Sequence, residues 1–228
     1  MKRFLICWMM AFIAIVAYAQ KDVTTFLGIP VDGTKSEMRQ KLIAKGYVPQ
    51  KFDNNEYLEG EFNGTDVHIF LGTNNNKVYR ITLCDAHTQS EADIKIRFNN
   101  LVSQFKNNKR YITFDDYTLS ESVDISYEMK VHSKNFDAYF YQIPDIERID
   151  SLATQKQVRD ELLMKYTPEQ LDNPTEEITQ EAQSIGFRIV MDLISKKFVW
   201  FRICEVDGKY YIAMYYDNEY NHANGEDL

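Results

Sequence analysis

Trp200, Arg202, Tyr211 and Tyr215, near the end of this 228-residue chain, are the side chains best suited to recognition chemistry. Aromatic rings offer apolar area and a polar tip at low entropic cost, and a guanidinium stacks on a ring or pairs with a carboxylate. All four fall in a hairpin, 198–206 and 209–216, turned at Asp207-Gly208. With Val206 facing Lys209, Ile203 meets Ile212, Phe201 meets Met214 and Val199 meets Tyr216 on one face. The reverse face then pairs Cys204 with Tyr211, Arg202 with Ala213 and Trp200 with Tyr215. Neither face is plainly polar. Such a sheet is covered on both sides or offers its aromatic side to a partner, and cover by the rest of the chain is the expectation.

Catalytic and metal-binding sets do not assemble from the sequence. The four histidines are scattered, with His68 placed opposite Glu59 as a surface ion pair and His87, His132 and His222 in turns or the tail. Cys84 and Cys204 stand alone in strands, without zinc-site spacing. There is no G-x-S-x-G elbow. Asp115-Asp116 and Glu176-Glu177 read as loop or first-turn charges. The acidic end from Asp217 to Asp227 lacks the glycine and glutamate spacing of a calcium loop. No cofactor is implied. The chain reads as a non-catalytic binding protein for a protein or envelope component. The alternatives are glycan or small-ligand binding on an aromatic sheet face and, further off, an unrecognised hydrolase.

These side chains must be carried by an α+β fold with antiparallel meanders and packed helices. Thr34-Lys35-Ser36-Glu37 is a capping box opening a helix that stops at Gly46. Strands at 57–62, 65–71 and 77–84 follow, the first two joined at Asn63-Gly64. Alternation sets Leu58, Phe62, Val67, Ile69 and Leu71 against Glu59, Glu61, His68 and Phe70. It also sets Tyr79, Ile81 and Leu83 on the core side, with Val78, Arg80, Thr82 and Cys84 opposite. Thr88-Gln89-Ser90-Glu91 opens a second helix, with Ile94, Phe98, Leu101, Val102 and Phe105 on one face. Strands are expected at 111–119, 123–131 and 136–143, then a helix at 155–166. Thr167-Pro168 and Asn173-Pro174 each cap a further helix, the second running to about Ile194. The expected organisation is two small α+β halves, 20–110 and 111–228, the second ending in the hairpin and a polar tail.

Residues 1–19 have the order of a secretory signal: basic Lys2-Arg3, an apolar run from Phe4 to Val16, then Ala17-Tyr18-Ala19 before Gln20. Thirteen apolar residues fall short of the ~20 that span a bilayer, so cleavage between Ala19 and Gln20 is expected, giving a periplasmic or secreted protein with no stable membrane insertion. The formal net charge is −8, and −10 without Lys2 and Arg3. That balance offers no footprint for nucleic acid. Cys84 and Cys204 remain after cleavage and are expected to stay separate and reduced.

Two stretches carry a resemblance. Phe26-Leu27-Gly28-Ile29-Pro30-Val31-Asp32-Gly33-Thr34-Lys35-Ser36-Glu37-Met38 and Tyr215-Tyr216-Asp217-Asn218-Glu219-Tyr220-Asn221, with the ending Ala223 to Leu228, are similar to segments of uncharacterised exported proteins of Bacteroidetes type. That likeness implies export and brings no activity. The Gly33-Thr34-Lys35 helix start through Met38, followed by a meander, resembles the α+β unit of β-lactamase-inhibitor-protein-like folds, which implies protein binding. Those units place two helices before the strands, whereas here the second helix follows them.

Overall fold

The computed structural model describes residues 22–53, 55–145 and 151–223. The signal segment, the Ala19–Gln20 cleavage site and the last five residues lie outside them. The fold is α+β with antiparallel sheets. Its elements are β1 (Thr25–Phe26), β2 (Ile29–Pro30), α1 (Lys35–Ala44), β3 (Val48–Phe52), β4 (Asn55–Phe62), β5 (Thr65–Asn74), β6 (Lys77–Asp85) and α2 (Glu91–Asn107). There follow β7 (Tyr111–Ile112), α3 (Ile125–His132), β8 (Asp137–Gln142), α4 (Ser151–Leu162), α5 (Pro168–Asp172), α6 (Glu176–Ser195), β9 (Lys197–Val206) and β10 (Lys209–Asn218), with a 3-10 turn at Glu219–Asn221.

Turn chemistry sets the strands. Asn63-Gly64, Asn75-Asn76 and Asp207-Gly208 all have positive φ at both central positions, the geometry that matches the twist of a two-residue hairpin. Strand β5 therefore runs further than the sequence suggests, to Asn74, while β6 starts at Lys77 as expected and ends at Asp85. Thr34 forms the expected capping box with Glu37, and Gly46 takes φ +100 after the Lys45 C-cap.

Eight strands form one sheet in the order β3-β4-β5-β6-β10-β9-β8-β7. The chain joins the two expected halves by pairing β10 with β6, Met214 opposite Leu83 and Asp217 opposite Arg80. The boundary near residue 110 thus falls inside a single sheet and a single hydrophobic core. Ile69, Ile81, Leu83, Val199, Phe201, Ile212 and Met214 point to one face. Against them pack Phe26 and Val31 from the N-terminal segment, Met38 and Leu42 from α1, the apolar stripe of α2, and Ile125 from α3. Arg97 of α2 forms a two-pronged pair with buried Asp85 at the end of β6, at 2.5 and 2.7 Å, which fixes the helix on the sheet.

Several expected elements differ, each for a local reason. In place of the expected 123–131 strand, the chain is helical from Ile125 to His132: the Asp124 side chain accepts from the Tyr127 amide, Glu91 accepts from the Ile125 amide, and Ser133 closes α3 in the left-handed region. Only Tyr111–Ile112 of the expected 111–119 strand pairs, because Asp115 and Asp116 turn the chain through bonds with Thr113 and Thr118. Helix α2 starts at Ser90, since Gln89 is drawn into an isolated bridge with Tyr210. Thr175, not Asn173, caps α6. The stretch after Asp217 is not loose within the described residues. Asn218 is buried and donates to the Val31 carbonyl, and Asn221 donates to Asp32 and the Val78 carbonyl.

Candidate functional site: the aromatic face of the sheet

The second face of the sheet is set by the same registers. Trp200 lies opposite Tyr215, Cys204 opposite Tyr211 and Arg202 opposite Ala213, as the hairpin turn requires. Continuing outward, Tyr215 meets Thr82, Thr82 meets Phe70, and Trp200 meets Tyr139. Tyr57 stacks on Phe70 at the far end, with centroids 5.7 Å apart. One row therefore crosses six strands: Tyr57, Phe70, Thr82, Tyr215, Trp200 and Tyr139. The four residues singled out in the sequence, Trp200, Arg202, Tyr211 and Tyr215, all sit on this face.

Full cover by the other described residues is not what the structure shows. Trp200, Arg202, Cys204, Tyr211 and Tyr215 are each only half-buried, while their neighbours Val199, Phe201, Ile203, Ile212 and Met214 are buried. The helices that contribute to the core all take the other face. Helix α4 packs on α6, and α6 meets β8 and β9.

The rings stand on edge. Trp200 and Tyr215 stack at 4.1 Å with planes 19° apart, Tyr139 stacks on Phe198 at 5.7 Å and 14°, and Phe198 lies 21° from parallel to Trp200. Arg202 lies over the Trp200 ring at 5.1 Å, and Arg80 approaches Tyr215 at 5.0 Å and Trp200 at 5.6 Å. Ring faces are thus filled by one another and by guanidinium groups, while the Tyr139 hydroxyl donates to Asp137.

Each arginine is held by an aspartate. Asp217 accepts from Arg80 Nε at 2.5 Å and Nη2 at 2.8 Å, and also from the Trp200 indole at 2.9 Å. Asp137 accepts from Arg202 Nε at 2.9 Å and Nη2 at 3.0 Å. Hydrogen bonding to these carboxylates holds both guanidinium groups above their ordinary range. Burial, then neighbouring Cys204, pushes the Tyr211 phenol up to about 12, and burial raises Tyr215 and Tyr139 as well. Burial also lifts the Cys84 thiol to about 11. At this part of the face the two guanidinium charges are therefore paired with carboxylates, and the phenols and thiols are neutral at neutral pH.

A β-bulge accounts for the largest departure from alternation. The register slips between Gly72 and Thr73, so Arg80 faces Gly72 and Val78 faces Thr73, leaving Tyr79 unpaired. Val78 consequently turns into the core, and Tyr79 lies over Gly72, whose absent Cβ would sit 3.1 Å from the ring. His222 packs edge-on against Tyr79 at 4.6 Å. Asp217, Glu219 and His222 bring ligand-type atoms within 4.8 Å of one another. Both Asp217 oxygens are already engaged by Arg80 and the indole, so the group reads as the rim of that network.

Arg80, Asp217, Asp137 and Tyr139 belong to this site but were not signalled as such by the sequence. The placement of Arg80 beside Thr82 and Cys84 was available from alternation. Its carboxylate partner was not, because Asp217 reaches it only through the long-range pairing of β10 with β6. Comparison with family models, curated proteins and solved structures finds no match for this chain.

Proposed function

We propose that the protein is an exported, non-catalytic binding module whose aromatic sheet face docks a polypeptide of the cell envelope or exterior. One observation carries this reading: a six-strand row, with aromatic rings on five strands and Thr82 on the sixth, stays half-exposed beside two internally neutralised Arg–Asp pairs. Tyrosine, tryptophan and arginine are the residues enriched where partners bind tightly. Because both arginines are already paired, docking there leaves no unpaired charge to desolvate.

The titrating groups support a binding role over a catalytic one. On this face the phenols and thiols shift up and the guanidinium groups stay charged, so the resolved shifts run away from the neutral range that acid–base catalysis needs. The glycan alternative rests on the same rings. Sugar stacking requires an open ring face, and the Trp200 faces are occupied by Tyr215 and Arg202. A polypeptide, which can dock without an open ring face, suits the arrangement better.

The test is photo-crosslinking on the cell surface or in envelope extract, with a photoreactive group placed at Phe70, which is exposed on this face, and a control group at Lys130 on α3. A polypeptide adduct specific to the first position, lost with Trp200→Ala, is the expected result. A glycan adduct would move the assignment to the alternative reading, and no specific adduct in either fraction would overturn docking. N-terminal sequencing of the secreted or periplasmic protein is expected to begin at Gln20, and a start at Met1 in a membrane fraction would overturn export with cleavage. No helix among the described residues is long and apolar enough to cross a membrane.

A further inference from the structure

The helix-covered side of the sheet holds a separate cavity. It lies where the end of α1, strand β1, the end of β4 and the second half of α2 meet. Its volume is about 720 Å³, within the ~300–1,000 Å³ typical of small-molecule sites. The lining is mixed, and Phe62, Leu101, Phe105 and the ring of Tyr216 are its apolar part. Tyr47 makes one wall. Its ring lies on the sheet at Gly60, where a Cβ would come within 2.5 Å, and its hydroxyl donates to the Glu61 carbonyl.

Two cations stand at the rim. Lys45 is the C-cap of α1, and Arg110 follows the end of α2; both are exposed, and neither is in an ion pair among the described residues. Arg110 is positioned. Its Nη2 donates to Thr25 Oγ1 at 3.3 Å, and the buried Gln142 amide grips Thr25 as a strand would, accepting from its N–H at 2.8 Å and donating to its carbonyl at 2.7 Å. The same Gln142 donates to the Tyr111 hydroxyl at 3.0 Å, on the lining of the cleft. Glu61 is the single acidic residue on the lining. Strand alternation sends its side chain to the face where Glu59 pairs with His68, so it meets the cavity through its backbone.

An apolar patch in a mixed lining, fixed hydroxyls and two cations without ion-pair partners among the described residues form a specific combination on a chain of net charge −8. We infer that this cleft binds a small organic anion: a flat apolar body carrying one carboxylate, with the body on Phe62, Leu101 and Phe105 and the carboxylate between Lys45 and Arg110. A guanidinium and an ammonium give a carboxylate charge-assisted hydrogen bonds, about twice as strong as neutral ones. A cation of the same shape meets the same two charges as repulsion.

The experiment is an NMR titration of the protein with 2-naphthoate and, separately, with 2-naphthylmethylammonium. Naphthoate is expected to shift the amides of Leu101, Gln104 and Tyr111, with the ammonium analogue producing no shift there. Lys45→Gln/Arg110→Gln should weaken naphthoate binding at least tenfold while leaving the thermal midpoint in place, both side chains being exposed. Trp200→Ala, on the opposite face, should leave naphthoate binding unchanged, so this result and the docking result stand or fall separately. Absence of shifts at the cleft amides at millimolar naphthoate, equal binding of the ammonium analogue, or unchanged affinity in the double variant would each overturn the inference.

Discussion

Trp200 and Tyr215 face each other across β9 and β10 with ring centroids 4.1 Å apart, and the Trp200 indole also donates to Asp217, two residues beyond Tyr215. A single side chain thus joins the ring stack to the Arg80–Asp217 pair. Removing it should do two things. Trp200→Ala is expected to cost about 1–3 kcal/mol in urea unfolding, less than for a fully buried ring because the indole is half-exposed. It should also abolish envelope crosslinking from this face. Retained crosslinking with a folded variant would separate the stack from any docking role.

Asp217 is 1% exposed and satisfies three donors. Asp217→Ala leaves Arg80 and the indole without their acceptor, and loss of one partner from a buried pair typically costs about 3–5 kcal/mol. Arg80 is only partly covered, so the lower end of that range is expected. Urea titration of the variant measures it, and a loss under about 1 kcal/mol would show the pair to be screened like a surface one.

Two glycine substitutions should have opposite signs. At Gly60 an added Cβ would meet the Tyr47 ring at 2.5 Å, whereas at Gly186, inside α6, it would meet nothing within 4 Å. Gly60→Ala is expected to destabilise by about 1–3 kcal/mol through overpacking, and Gly186→Ala to stabilise by up to about 1 kcal/mol through helix propensity and reduced unfolded-state entropy. Thermal midpoints of the two variants decide it. A stabilising Gly60→Ala would show that the Tyr47 wall shifts freely.

The hairpin of β9 and β10 was legible to the residue because its turn dipeptide and both strands are contiguous, so the register follows from the turn alone. The first meander and the Thr34 and Thr167 capping boxes were legible for the same reason. Residues 123–131 were not. Val123, Ile125, Tyr127 and Met129 alternate like a strand, yet Ile125 and Met129 are also one helical turn apart, and the Asp124 cap decides between the two. The aromatic row was half legible: Trp200 and Tyr215 came from one hairpin, while Tyr57, Phe70 and Thr82 joined them only through the pairing of β6 with β10. Tyr79 was misplaced because a bulge shifts facing without leaving a mark in composition.

Cys84 and Cys204 are free, on the same face, with β10 between their strands. Adjacent strands lie about 4.8 Å apart, so two strand spacings exceed the ~7 Å Cα limit for a disulfide. Mass spectrometry of the non-reduced protein should find no linked peptide. The thiols should also be slow to alkylate at pH 8, since burial lifts Cys84 to about 11 from an ordinary 9.0. The linkage has a sign: between those values the unfolded chain has lost a proton that the folded chain retains, so stability falls as pH rises from 9 toward 11. Tyr211, raised to about 12, extends the same trend upward. Urea midpoints that stay level from pH 8.5 to 11 would contradict it.

The sheet order gives the sharpest prediction about organisation. Strand β6 ends the first meander, and its outer edge is covered by β10, which the chain supplies 124 residues after β6 has ended. Helix α2, from the first half, packs its Phe98 and Phe105 rings against Phe201 of the second, at 5.1 and 5.7 Å. A chain cut at residue 110 therefore leaves 20–110 with an unpaired strand edge beside Ile81 and Leu83, and leaves 111–228 with Phe201, Ile212 and Met214 uncovered. A newly bared long strand edge and an uncovered core face are both liabilities for a small domain. Both fragments alone should lack cooperative thermal unfolding, and the whole chain should unfold its sheet in one transition. A cooperative transition in the isolated 20–110 fragment would show that its four-strand meander and two helices are sufficient by themselves, and that β10 joins a sheet already formed.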